Sequence, residues 1–188
     1  MIGTVPRGAL LDGSAVRVGD RILGLASNGL HTNGFSYARG LLARLSLGLD
    51  APLPGSGERI GDALLRSHRW YGPSLLPELA RSRVHALAHI TGGGLSGNLK
   101  RVLPQGVRAV LKVDAWPKPP LFRWLIEAGA MPRDDARRTF NLGIGMAVIV
   151  AARDEEDVAR DLERSGETVY VIGELAAGER GVEWIGTG

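Results

Sequence analysis

Short apolar runs alternate along this chain with stretches whose hydrophobic residues recur every three or four positions. Arg21 to Ala26 (RILGLA), bounded by Gly19-Asp20 and Ser27-Asn28-Gly29, predicts a buried strand. Phe35, Ala38, Leu41, Leu42 and Leu45 follow at helical spacing, with Asn33 as the expected N-cap. Glycine, proline and serine make residues 46–58 a loop, and helical material runs from Ile60 to about Ala80 with a break near Gly72-Pro73. Val84 to Ile90 (VHALAHI) predicts a strand. Its alternation sets Val84, Ala86, Ala88 and Ile90 on one face, and His85, Leu87 and His89 on the other.

Beyond Thr91-Gly92-Gly93-Gly94 a short helix is expected through Val102, then a strand over Val107–Val113. Leu121, Trp124, Leu125 and Ala128 share one face of a helix expected over Pro119–Ala128. Ile144 to Ala152 (IGMAVIVAA) is nearly continuous in apolar residues, as in a central strand. Asp154 is the expected cap of the next helix, whose inner stripe is Val158 and Leu162 and whose end is Gly166; Thr168–Ile172 is the final expected strand. Strands alternating with helices predict a sheet covered by helices. No internal linker stands out, so residues 1–188 are read as one domain.

Composition narrows the function classes. With 44% hydrophobic residues the 188-residue chain can bury a core. Net charge is only +3, and all basic residues except Lys100, Lys112 and Lys118 are arginines, which suit phosphate and carboxylate. No basic run and an aromatic content of only 5% argue against a nucleic-acid surface. The absence of cysteine excludes disulfides and thiolate chemistry and suits the cytoplasm. No apolar run is long enough to span a membrane, and no signal-peptide pattern opens the chain.

Glycine clusters in three polar segments: Ser27–Gly34 (SNGLHTNG), His89–Gly94 (HITGGG) and Arg138–Gly145 (RTFNLGIG). The first two each link a strand to a helix, where unpaired N–H groups and the helix dipole favour an anion and glycine lets it approach. Each is therefore a candidate phosphate cradle, with Thr32 and Thr91 as possible hydroxyl donors; neither has the ending of a P-loop. The alternative is a pair of tight turns with ordinary caps. His31 and His89, inside these loops, are the candidate proton-transfer groups; His68 and His85 read as ordinary residues. Histidine spacing matches no common zinc motif, so no metal ligand is assigned. Asn141 either bonds a ligand or braces the turn before the strand.

Together these segments resemble the phosphoribosylformylglycinamidine cyclo-ligase (aminoimidazole ribonucleotide synthetase) family. The resemblance rests on Ser27–Ser36, on Ala88–Leu95 with Asn98 and Arg101–Pro104, on Trp116, Pro119, Phe122, Trp124 and Leu125, and on Arg138–Met146, in order. It implies an α+β domain of three α/β/α layers with a mixed, partly ferredoxin-like sheet, the carboxy-terminal domain of that family. It further implies conversion of formylglycinamidine ribonucleotide and ATP, with magnesium, to aminoimidazole ribonucleotide. His31 and His89 would be catalytic; Thr32, Asn33, Gly34, Thr91, Gly92, Gly93, Gly94 and Asn141 would bind substrate.

The family's amino-terminal domain, which carries most ATP and magnesium contacts and much of a homodimer interface, is expected to precede this region, with Ile2–Leu10 as the end of the link. The polypeptide by itself is expected to be inactive, to bind magnesium–ATP weakly and to expose an apolar face. Related selenophosphate, thiamine-phosphate and amidotransferase enzymes carry an Asp-containing loop where His89-Ile90-Thr91 stands, so the resemblance favours the cyclo-ligase. The alternative from another class is a non-catalytic module that binds a phosphorylated metabolite or a partner protein.

Overall fold

The computed structural model describes residues 4–186; of the expected link, residues 2 and 3 lie outside the described residues, and Arg7–Ala9 form a single 3-10 turn. Among the described residues six strands form one mixed sheet: β1 (Arg21–Ala26), β2 (Val84–His89), β3 (Val107–Lys112), β4 (Ile144–Val150), β5 (Val169–Ala177) and β6 (Val182–Ile185). Their order is β2-β4-β1-β5-β3-β6, antiparallel throughout except for the parallel β3–β6 pair. Among the described residues seven α-helices accompany them: α1 (Phe35–Arg44), α2 (Ile60–Leu64), α3 (Gly72–Ala80), α4 (Gly94–Val102), α5 (Pro120–Gly129), α6 (Arg133–Thr139) and α7 (Glu155–Arg164). The class is α+β, as expected.

The sheet is apolar on both faces because its central strands alternate between two cores. On one face Ile22, Ala147 and Ile149 pack with Leu95 and Leu99 of α4. On the other Leu23, Leu25, Val148 and Val150 pack with Leu75 of α3 and with Val158 and Leu162 of α7. Each fully buried aliphatic side chain here contributes about 1.5–3 kcal/mol. A third core lies among α1, α2, α5 and α6, around Phe122 and Phe140.

Several expectations are corrected. Asn33 does not cap α1: the N-cap is Gly34, at φ +91°, with no side-chain bond. A Cβ on Gly34 would fall 2.6 Å from the Phe140 ring, so glycine is set there by packing as well as by backbone sign. Asp154 is the N-cap of α7 by position, as expected, but without a side-chain capping bond; it closes a 3-10 turn and pairs with Arg153 at 3.5 Å. The break between α2 and α3 is residues 65–71, and Gly72-Pro73 starts α3, because proline is tolerated in a first turn. Helix α6 was missed, since Arg133–Thr139 (RDDARRT) buries only Ala136 and carries no apolar stripe. The final strand was expected over Thr168–Ile172, but Gly173 does not end it and β6 follows it. Gly173 sits at a register shift opposite Ile22, where a Cβ would meet the Val110 carbonyl at 2.1 Å, and β5 continues to Ala177.

Candidate functional site

The three glycine-rich segments lie far apart in sequence and meet at one end of the sheet. The Ser27 N–H donates to the Gly143 carbonyl, Ile90 N–H to Gly145, and Gly93 N–H to Arg138. Asn33 Oδ1 lies 3.4 Å from where a Gly92 Cβ would stand, so the first two loops touch. Gly94 is tighter still: at φ +61°, its Cβ would lie 1.8 Å from the Arg137 carbonyl.

His31 stands in the first loop at φ +59° and is only 5% exposed. A left-handed histidine costs on the order of 1–3 kcal/mol and persists only where its surroundings hold it, as they often do at ligand sites. Its Nε2 pairs with Asn28 Oδ1 at 3.0 Å, and its ring stacks on His68 at 4.0 Å. His68 Nε2 in turn lies 3.1 Å from His89 Nε2 at the exposed end of β2. Sequence reasoning missed His68, whose neighbours Ser67, Arg69 and Trp70 form no pattern. The chain 65–71 delivers it. Asn28 Nδ2 donates to the Ser67 carbonyl at 2.7 Å on one side. On the other, Arg69 bonds the buried Glu167 at 2.7 Å and the Gly166 carbonyl at 2.6 Å, while Ser74 holds the second Glu167 oxygen. His85, on the same face of β2, belongs elsewhere: it pairs with Asp20 at 2.7 Å.

Burial, with His68, His89 and Arg69 nearby, pushes His31 from its usual 6.5 down to about 4. Burial and His68 also lower His89. Both imidazoles are therefore neutral at pH 7 and suited to accept protons. Tyr71, whose hydroxyl donates to the Ala26 carbonyl at 2.8 Å, has its phenol pKa raised by burial.

The cradle is narrower than its three glycines imply. The N–H groups of Gly93 and Gly94 are already bonded, to Arg138 and Thr91 carbonyls. Those of Gly92, Leu95 and Ser96 have no partner among the described residues and form the open start of α4. The Thr91 hydroxyl donates to Asn98 Oδ1 at 3.0 Å, and the Asn98 amide gathers the carbonyls of Thr91, Gly92 and Gly94. Thr32 is exposed, and Asn33 reaches it at 3.4 Å. Asn141 is 4% exposed. Its oxygen accepts from Ser27 and Gly143 and its amide donates to the Gly29 carbonyl, so it braces the first loop against the turn before β4.

The family profile described as "AIR synthase related protein, C-terminal domain" matches residues 17–185. Curated phosphoribosylformylglycinamidine cyclo-ligases of Citrifermentans bemidjiense and Geobacter sulfurreducens are 44% and 43% identical over 185 residues, 98% of this chain and 53% of each relative. The chain thus spans about half the length of the curated relatives it matches. In fold it is similar to the crystal structure of E. coli HypE, with a TM-score of 0.65 and 24% identity over 98% of this chain and 52% of that one.

Proposed function

The chain belongs to the AIR synthase related family, as its C-terminal domain, and from that premise we propose that it is the substrate-binding half of a phosphoribosylformylglycinamidine cyclo-ligase. The observation that carries this reading is the contact between the His31 and His89 loops at the open start of α4, in a chain 44% identical to such an enzyme. The substrate is formylglycinamidine ribonucleotide. Its phosphate is held by the N–H groups of Gly92, Leu95 and Ser96, with Thr32, Asn33 and Gly34 closing over it. ATP activates the formamide oxygen as a leaving group, and a nitrogen of the same substrate attacks that carbon to close the imidazole.

Ring closure must shed a proton from the attacking nitrogen. His89, exposed and neutral, is the acceptor that touches substrate. His31 is buried behind His68 and acts through it, orienting the pair rather than meeting the ligand. Magnesium takes oxygen ligands, whereas this cluster offers imidazole nitrogens, so no step is assigned to magnesium here. ATP and magnesium are taken to be held mainly by an amino-terminal domain of the same enzyme, in a cytoplasmic homodimer. The roughly twofold greater length of the relatives leaves room for such a domain. Among the described residues no helix is long and apolar enough to cross a membrane.

The test uses the enzyme with its ATP-binding domain present or supplied in trans. His89→Ala should lower kcat by about 100-fold or more with little change in substrate affinity. The cradle is probed at Gly92. Gly93, at φ +97°, and Gly94 are strained by any side chain, whereas a Gly92 Cβ meets only Asn33 at 3.4 Å. Gly92→Ala should weaken substrate binding without altering the melting temperature. Near-normal turnover and affinity in both variants would remove the site from the proposal.

A further inference from the structure

Three imidazoles from three separate segments meet at one place, and the proposed ring closure needs only one of them to touch substrate. One ring nitrogen from each of His31, His68 and His89 lies within 4.8 Å of the other two. At His31, Nε2–H donates to the Asn28 amide oxygen, which leaves the Nδ1 lone pair free. That Nδ1 is buried without a partner, a condition it shares only with Arg83 Nε among the described residues' side chains. A desolvated acceptor with nothing to accept is costly and calls for an explanation.

We propose that His31, His68 and His89 form a site for a borderline divalent ion such as zinc or its neighbours cobalt and nickel. Imidazole suits these ions, in contrast to the oxygen ligands that magnesium requires. In a tetrahedral site with Zn–N bonds of about 2.0–2.1 Å, ligand nitrogens stand roughly 3.3 Å apart. The His68–His89 pair, at 3.1 Å, already has that spacing. The stacked His31 ring closes the site by tilting toward them, with Asn28 as its orienting partner. The neighbouring cation, Arg69, is paired with Glu167, and the fourth position opens to solvent past the exposed His89. The ion does not depend on the cyclo-ligase reading. If both hold, a bound ion removes His89 from proton transfer, and metal and turnover compete.

The test is calorimetric titration of the EDTA-stripped chain with zinc chloride. One ion per chain is expected, with a melting-temperature rise on the order of 5–10 °C at a hundredfold excess over Kd. Cobalt in place of zinc should give the visible ligand-field bands of a nitrogen-ligated ion. His68→Asn should weaken zinc at least about 100-fold, the upper end of what losing a mere orienting partner costs. His85→Asn, outside the cluster, should bind as the parent does. Melting in EDTA establishes that each variant is folded; should His68→Asn not fold, His89→Asn, at an exposed strand end, gives the same comparison. Absence of zinc binding by the parent, or equal binding by the parent and the folded cluster variant, overturns the site.

Discussion

Gly145 is the floor on which the histidine cluster rests. A Cβ there would lie 2.1 Å from the Tyr71 hydroxyl oxygen and 2.5 Å from His31 Cε1. Gly145→Ala should therefore cost about 1–3 kcal/mol, read as a lower denaturant midpoint at unchanged m-value. His31 supplies a second prediction at this scale. Its folded-state pKa of about 4 lies below the usual 6.5, so between those values the unfolded chain binds more protons and stability falls as pH drops. Melting temperatures taken in EDTA from pH 7 to 4 should fall more steeply for the parent than for His31→Gln. Part of the slope should remain, because His89 is lowered too. Equal slopes would show that His31 is not held neutral by burial. Both His31 and His89 were legible in the sequence because each sits beside glycines after a strand. His68 was not, because its place depends on bonds to Asn28 and Glu167, 39 and 98 residues from the positions that make them.

The link between α2 and α3 works as an arm that holds His68 over His31. Its anchor is Glu167, just after α7, which binds Arg69 and Ser74 together. Glu167→Ala should destabilise the fold by about 2–3 kcal/mol, below the range for fully buried pairs because Arg69 is about one third exposed. It should also free the arm, so the histidine ring signals of His68 and His89 should lose their mutual contacts in NMR spectra. A stable variant with those contacts intact would place the anchor elsewhere. Among the elements, strands with clear apolar runs, β1 and β2 above all, were legible to within a residue. Boundaries that depend on long-range packing were not: Gly34, not Asn33, is the N-cap of α1, and Phe140 fills the space beside it.

At the scale of the whole molecule, the arm and the helix α3 that follows it carry the most exposed large apolar side chains among the described residues. Leu65, Trp70 and Leu76 are 74%, 78% and 62% exposed. Large apolar side chains left this exposed, within twelve residues of sequence, favour association. Sedimentation at high concentration should show the 188-residue polypeptide self-associating, and Leu65→Ser with Trp70→Ser should weaken it; a clean monomer in the parent would count against an adhesive face here. The sequence by itself determined a sheet covered by helices, the strands of the sheet centre and the three glycine segments, because hydrophobic period and turn chemistry are local properties, while the mixed α+β class came from the family resemblance. Only the tertiary structure decided which of those glycine N–H groups stay open, that Asn141 braces a turn, and that three histidines share one place. Those outcomes depend on which distant carbonyl or ring arrives beside each group, and no local pattern encodes that arrival.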